Sequence, residues 1–361
     1  MKRSHLLIAA AVLALVPVRA LADWNVWREH SQKVLEAADL TNVRMVRVEN
    51  PRGLVQVRPS PDGRFRLTAL KLTRASDREH AGEFARATRV ETAIEGDRYV
   101  VRVRYPQRQE IRISFWRIFR GGFELPTVEV RLSLEVPGRM GVSLDSASGD
   151  LETFGLAGPQ SLETTSGDLQ VRDARGPLEA GTVSGEVEAD GLARARLRSV
   201  SGDVSVRRAG GPLDVRTTSG DIELRGVTDS LSVSSVSGDI RVDAAPRGLS
   251  AGTTSGGITI EGEAGGLVRV SSTAGDVTLG LLATVRRADV TTVSGDIHLR
   301  LPGNLGCTLG LRTSSGTLDT AVPLRVRTVS RREMTGVVHG GGVPVTLRTT
   351  SGDIVVTSGG E

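Results

Sequence analysis

Around Ser219 the apolar positions Leu213 and Val215 lead into a Ser-Gly-Asp turn and Ile222 and Leu224 lead out of it, with Asp214, Arg216 and Glu223 between them. The next stretch repeats the pattern, with Leu231 and Val233 before Ser237, Ile240 and Val242 after it, and Ser232, Ser234 and Arg241 interposed. A period of two is the spacing of a half-buried strand. The same turn recurs eleven times from Ser148 to Asp353, seven times as Ser-Gly-Asp and four times as a near variant, at intervals of 17 to 21 residues and a last interval of 36. So short a repeat cannot bury its own apolar face, so the repeats must stack.

Aligning the repeats on the motif serine exposes two columns. Three residues after it stand Leu151, Leu169, Val187, Val204, Ile222, Ile240, Ile258, Val277, Ile297, Leu318 and Ile354, all aliphatic. Two residues before it stand Ser146, Thr164, Thr182, Ser199, Thr217, Ser235, Thr253, Ser272, Thr292, Thr313 and Thr349, all hydroxylic. The first predicts a thin aliphatic core and the second a narrow corner where short side chains bond to backbone. Glycine at the corner is expected for φ > 0, and the following aspartate for an Asx-type turn. The predicted fold is all-β: a single-stranded β-helix or β-solenoid of about 18-residue coils with a short N-terminal helix.

The ends of the chain read differently. Residues 1–22 carry Lys2 and Arg3, an apolar run from Leu6 to Val16, and Ala20-Leu21-Ala22, which is the pattern of a cleaved signal peptide. Residues 23–40 place Trp24, Trp27, Val34, Leu35 and Ala38 near helical spacing, which predicts a helical cap. Residues 41–140 predict larger, irregular β coils, and 141–361 the Ser-Gly-Asp solenoid. Within 41–140, Phe115, Trp116, Phe119 and Phe123 alternate with Arg112, Arg117 and Arg120, which reads as a local core beneath a long hairpin, with contact to a membrane surface or an anionic polymer as the alternative.

Charge and chemistry narrow the function. The 46 basic residues become 43 once Lys2, Arg3 and Arg19 leave, against 42 acidic ones, and the interspersed signs form no nucleic-acid stripe. No run after the signal segment approaches the roughly 20 apolar residues of a membrane helix, so the exported chain is expected in the periplasm, secreted, or associated with the cell surface. The single Cys307 falls in step with inward positions and reads as a buried free thiol. Nine motifs carry an acid in third place, and a solvated column of them needs no ion; calcium at Asp203, Asp221 and Asp239 is the minor alternative. No cofactor is expected. After Gly141 the only aromatic is Phe154, which leaves no stacking platform for a polysaccharide-acting β-helix enzyme, and the four remaining histidines lack metal-ligand spacing. A non-enzymatic binding or structural module is the primary reading, with an enzyme or a self-assembling envelope scaffold as alternatives. Two places break the regularity. Thr320–Gly342 replaces a coil and holds the candidate partner-binding residues Arg325, Arg327, Arg331, Arg332 and His339. Ile354–Thr357 is expected to be an uncovered edge open to end-to-end self-association.

The stretch Val128–Pro137, then Gly141–Asp150 and the Thr-Val-Ser-Gly-Asp repeats, resembles the bacterial putative-adhesin β-strand-repeat family. Asn50-Pro-Arg-Gly-Leu-Val-Gln-Val57 is similar to its opening strand pair and Gly342–Ile354 to its closing coil. The resemblance covers about Thr41 to Thr357. It implies a right-handed β-helix-like fold, a cell-envelope setting and no established activity; an unidentified envelope protein or glycan is the expected partner of the binding module.

Overall fold

In the computed structural model, the described residues are 13–14, 28–38, 40, 42–75, 78–106, 127–244 and 246–359. The chain divides into two compact units, Met1–Pro159 and Gln160–Glu361.

In the first unit, Met45–Glu49 lies parallel to both Arg98–Arg104 and Gly141–Asp145, and Val55–Pro59 parallel to both Thr127–Val136 and Leu151–Phe154. Asn50 turns the chain between these layers. Its buried amide donates to Val130 O at 2.8 Å, while its Oδ1 accepts from the Tyr105 hydroxyl at 3.1 Å. Phe65–Ala75 adds an antiparallel strand to Thr127–Val136. The expected helical cap over 23–40 is not what forms: Arg28–Ala38 is a strand, paired antiparallel with Phe65–Ala75 along all eleven residues. Helix propensity differs between ordinary residues by only a few tenths of a kcal/mol, so a full-length backbone ladder overrides it. Leu13–Ala14 pairs in turn with Lys33–Val34; Trp24, Trp27, the remainder of the signal segment, Glu110–Trp116 and the aromatic-basic cluster lie outside the described residues.

The helix among the described residues is Arg78–Ala87 instead. Ala81, Phe84, Ala85 and Thr88 are buried on one face. Its C-terminal end is held by Lys71, a buried side chain whose Nζ donates to Ala85 O at 3.2 Å and Thr88 O at 2.6 Å. A cation at this end answers the negative pole of the helix, and burial lowers the lysine pKa from its ordinary value.

The second unit is the solenoid. Each coil supplies one strand before the motif and one after, and both sets stack in parallel. The leading column runs Gln160–Thr164, Pro177–Thr182, Arg194–Ser199, Leu213–Arg216, Ser230–Ser237 and Gly248–Ser255, and continues into Ile258–Ala274 and Val277–Ser294. The trailing column runs Leu169–Arg172, Val187–Leu192, Val204–Ala209, Ile222–Val227 and Ile240–Asp243, and then the first residues of the same two long strands, to Ile297–Pro302. Register keeps equivalent positions together, as in Val204↔Ile222↔Ile240↔Ile258. The aliphatic column from Leu169 to Ile297 is buried throughout; each such side chain stabilises by about 1.5–3 kcal/mol relative to exposure.

At the far end, order in space departs from order in sequence. Ile297–Pro302 pairs with Ile354–Gly359, and Ile354–Val356 pairs on its other side with Leu318–Thr320. In the leading column, Ala288–Thr291 pairs with Val345–Arg348, which pairs in turn with Cys307–Arg312. The coil of residues 343–359 is therefore inserted between its two predecessors. Ile354–Thr357 is thus an interior strand, which corrects the expectation of an uncovered edge there. The insertion Thr320–Gly342 folds as an antiparallel hairpin, Arg325–Val329 with Glu333–Val338, laid antiparallel on Cys307–Arg312.

Candidate functional site

The repeated corner is where sequence repetition is strongest, and its bonds run between coils. Asp168 Oδ1 accepts the Glu186 N–H at 2.9 Å, Asp203 that of Asp221 at 2.9 Å, Asp221 that of Asp239 at 2.8 Å and Asp239 that of Gly257 at 2.8 Å. Beyond them Asp276 accepts from Asp296 at 2.8 Å, Asp296 from Asp353 at 2.8 Å and Asp353 from Thr317 at 2.7 Å. The carboxylate therefore tethers the next coil where a local Asx turn was expected. The last two bonds trace the inserted coil, 296 to 353 to 317. Inside the corner, Thr182 Oγ1 accepts the Gly185 N–H at 3.0 Å and donates to Gly167 O at 3.3 Å, and Thr349 Oγ1 donates to Gly295 O at 3.1 Å.

The glycine reading needs a correction. Gly256, Gly275, Gly295, Gly316 and Gly352 do have φ between +148° and +153°, but Gly185, Gly202, Gly220 and Gly238 are not in the left-handed region. What all share is crowding: a Cβ on Gly202 would lie 1.8 Å from Gly185 O, and one on Gly295 2.3 Å from Gly275 O. The corner brings successive backbones too close for any side chain.

Asp203, Asp221 and Asp239, the calcium candidates, thus each give one oxygen to a backbone N–H of the next coil. Among the described residues no group of three or more His, Cys, Asp and Glu side chains is placed to hold a metal ion. Position three of the second coil holds Glu186, whose pKa is raised by partial burial and by the neighbouring charges of Glu188, Asp168 and Asp203. Asp353 is shifted the other way, lowered by the bond from Thr317. These directions make a prediction. A raised carboxylate pKa means that the charged form weakens the fold at neutral pH, a penalty relieved as pH falls through the carboxylate range. A lowered one contributes stability above the unfolded value of 3.8, lost as pH falls through the folded value. Glu186→Asp, which shortens the side chain to the ladder length, is expected to add a tether to the Asp203 N–H. It should raise Tm at pH 7 by about 2–4 °C and lose that gain below about pH 3.5; thermal melts at both pH values check it.

A shallow groove of about 400 Å³ follows the opposite corner, lined by Ala174, Arg175, Leu192, Arg208, Ala209 and Thr228. Its charged centre is already paired, since Arg208 Nε and NH2 each lie 2.6 Å from the Asp190 carboxylate. Arg208 reaches it from a left-handed backbone, φ 55°, beside Gly191 and Gly226 at φ 73° and 64°.

The predicted partner residues fall on the terminal hairpin, all exposed, but in separate places. Arg325 begins the outer strand across from Val337, and His339 follows the inner strand just after Val337, at φ 46°. Arg327 sits at a bulge between Val326 and Thr328. Arg331 and Arg332 occupy the tip at the other end, where Arg332 O accepts the Thr313 N–H at 3.0 Å. The outer strand Arg325–Val329 is exposed along its length, including Val326 and Val329, so the open edge expected at the C-terminal coil is here. Two residues were missed. Arg312 and Arg348 are Cα partners on adjacent strands beside this tip, both exposed. Both lie three residues before a motif serine, a shared phase that the 36-residue interval concealed.

Solved structures similar to this chain include a putative cell adhesion protein from Clostridium sporogenes (8% identity, covering 91% of this chain and 100% of that one, TM-score 0.22). Others are a putative lipid binding protein from Parabacteroides distasonis (12%, 91% and 97%, TM-score 0.37) and a putative adhesin from Parabacteroides merdae (9%, 92% and 97%, TM-score 0.31). No curated protein matches. A family model described as Toastrack DUF4097 matches residues 132–263, 193–286 and 249–357. Overlapping matches are what a stack of equivalent coils produces, because one pattern aligns in several phases. With the stacked corners and these matches running from 132 to 357, the chain belongs to the Toastrack DUF4097 family, a β-solenoid family.

Proposed function

We propose that this chain is an exported, non-enzymatic module of the cell envelope that binds or scaffolds another envelope component, a protein or glycan. The observation carrying the proposal is the use of the repeated polar residues. The carboxylates of the corner bond to the next coil, most of its hydroxyls bond within the turn or to the neighbouring coil, and its glycines admit the close approach of the neighbouring backbone, so the recurrent Ser-Gly-Asp is architecture. What varies from coil to coil is the outward side chain, and long variable faces on a fixed frame suit recognition. The groove at Arg208 is lined by small residues and holds an arginine tied to Asp190, with neither a nucleophile–base pair nor a carboxylate pair of the kind sugar cleavage uses. No helix among the described residues is long and apolar enough to cross a membrane.

Export is tested by expressing the full chain with a C-terminal tag, fractionating the cells, and sequencing the N-terminus of the tagged product. A product beginning at Asp23 in the periplasm or medium is expected. An uncleaved chain retained in the cytoplasm would overturn the envelope reading.

A further inference from the structure

The geometry points to a binding site for a phosphate-bearing group at the inserted end of the solenoid, formed by Arg312 and Arg348 with Arg331 and Arg332. It deepens the binding-module reading and rests on it. Three arginine pairs are Cα partners between adjacent strands of the second unit: Arg198↔Arg216, Arg207↔Arg225 and Arg312↔Arg348. Strand neighbours are about 4.8 Å apart, so each pair sets two like charges side by side. The first is neutralised, with Arg198 3.2 Å from Glu179 and Arg216 3.2 Å from Asp214. In the second, Arg225 is bonded to Glu223. In the third, neither guanidinium has a carboxylate within 4.0 Å among the described residues, and the same holds for Arg331 and Arg332.

The concentration of charge comes from topology. Arg348 reaches Arg312 only because the coil of 343–359 inserts, and the hairpin brings Arg331 and Arg332 to the same end through the Thr313–Arg332 backbone bond. Glu333, the cross-strand partner of Arg312, is the acid within this group, leaving an excess of three positive charges on an exposed surface. Guanidinium forks match phosphate oxygens in bidentate fashion, and several on one rigid sheet lose little entropy on engaging one ligand. A tetrahedral dianion or a diphosphate relieves the repulsion between Arg312 and Arg348, which a singly charged carboxylate does less well.

The test is calorimetric titration of the full chain with sodium pyrophosphate at low salt, beside sedimentation with phosphatidylcholine vesicles containing or lacking phosphatidylglycerol. The double variant Arg312→Gln/Arg348→Gln is expected to bind pyrophosphate at least 10-fold more weakly. Arg194→Gln/Arg269→Gln, on outward positions of earlier coils, should bind as the parent does. Sedimentation with the phosphatidylglycerol vesicles, lost in the first variant alone, would assign the phosphate to a lipid headgroup; pyrophosphate binding without vesicle binding would assign it to a free or glycan phosphate. Equal weakening in both double variants, unchanged affinity in the first, or no saturable binding by the parent would overturn the proposal. Burial of Cys307, read by its resistance to a thiol reagent, confirms that each variant retains the inserted end, and the export measurement stands apart from this result.

Discussion

Gly202→Ala should lower stability by about 3 kcal/mol or more, a fall of roughly 10 °C in Tm for a domain of this size. The added methyl would sit 1.8 Å from the carbonyl oxygen of Gly185 and 2.6 Å from its carbon, both backbone atoms of the preceding coil. A flexible side chain could turn aside, but a coil corner can yield only by lifting the rung, which breaks the parallel ladder on both sides of the turn. The comparison is Gly210→Ala, eight residues on in the same coil. A Cβ there meets nothing within 4 Å and the residue is exposed, so a change of less than about 0.5 kcal/mol is expected. Thermal and denaturant unfolding of the two variants decide the matter. Comparable losses in both would mean that glycine serves the corner through backbone freedom, since crowding affects only one of them.

That contrast also marks where sequence reasoning reaches its limit. Burial alternation is legible residue by residue, because a strand of period two facing a core leaves no other place for Ile222, Ile240 or Ile258. The hydroxyl column at the corner is legible for the same reason. The role of the motif glycine and aspartate is only half legible: a turn can be inferred from one coil, but the carbonyl that excludes a Cβ belongs to the coil before it and the N–H that meets the carboxylate to the coil after it. Arg28–Ala38 has apolar residues near helical spacing, yet its partner Phe65–Ala75 is far away in sequence, and that pairing decides its conformation. The candidate site suffers most. Arg331 and Arg332 stand out as breaks in the repeat, whereas Arg312 and Arg348 look like two ordinary outward positions until the coil order brings them together.

Coil order itself is the second large effect to expect. Ending the chain after Gly342 should expose Cys307 to a thiol reagent, with a rise in labelling rate of at least 100-fold, while the coils from Gln160 to about Pro302 keep their amide protection. If coils stacked in sequence order, the last coil would be a removable end, and Cys307, deep in the preceding one, would stay covered. In this fold the removed strands are the parallel partners of Cys307–Arg312 and Leu318–Thr320, and they join the first to Ala288–Thr291 and the second to Ile297–Pro302. Their buried side chains Val345, Leu347, Ile354 and Val356 are fully enclosed; at about 2 kcal/mol each, their loss outweighs what the hairpin can hold by itself. Cys307 is a good reporter because it is the single cysteine and fully buried, with burial raising its thiol pKa and slowing reaction in the intact chain. A point variant, Ile354→Asp, separates the loss of packing from the loss of chain. It leaves the backbone ladder available but puts a charge into a fully buried position between Ile297 and Leu318. It too should release Cys307, since an uncompensated buried carboxylate costs more than one aliphatic contact. Labelling that stays as slow as in the full-length chain, in both variants, would show that the 303–342 segment docks without the inserted coil, and the order 296 to 353 to 317 would have to be abandoned.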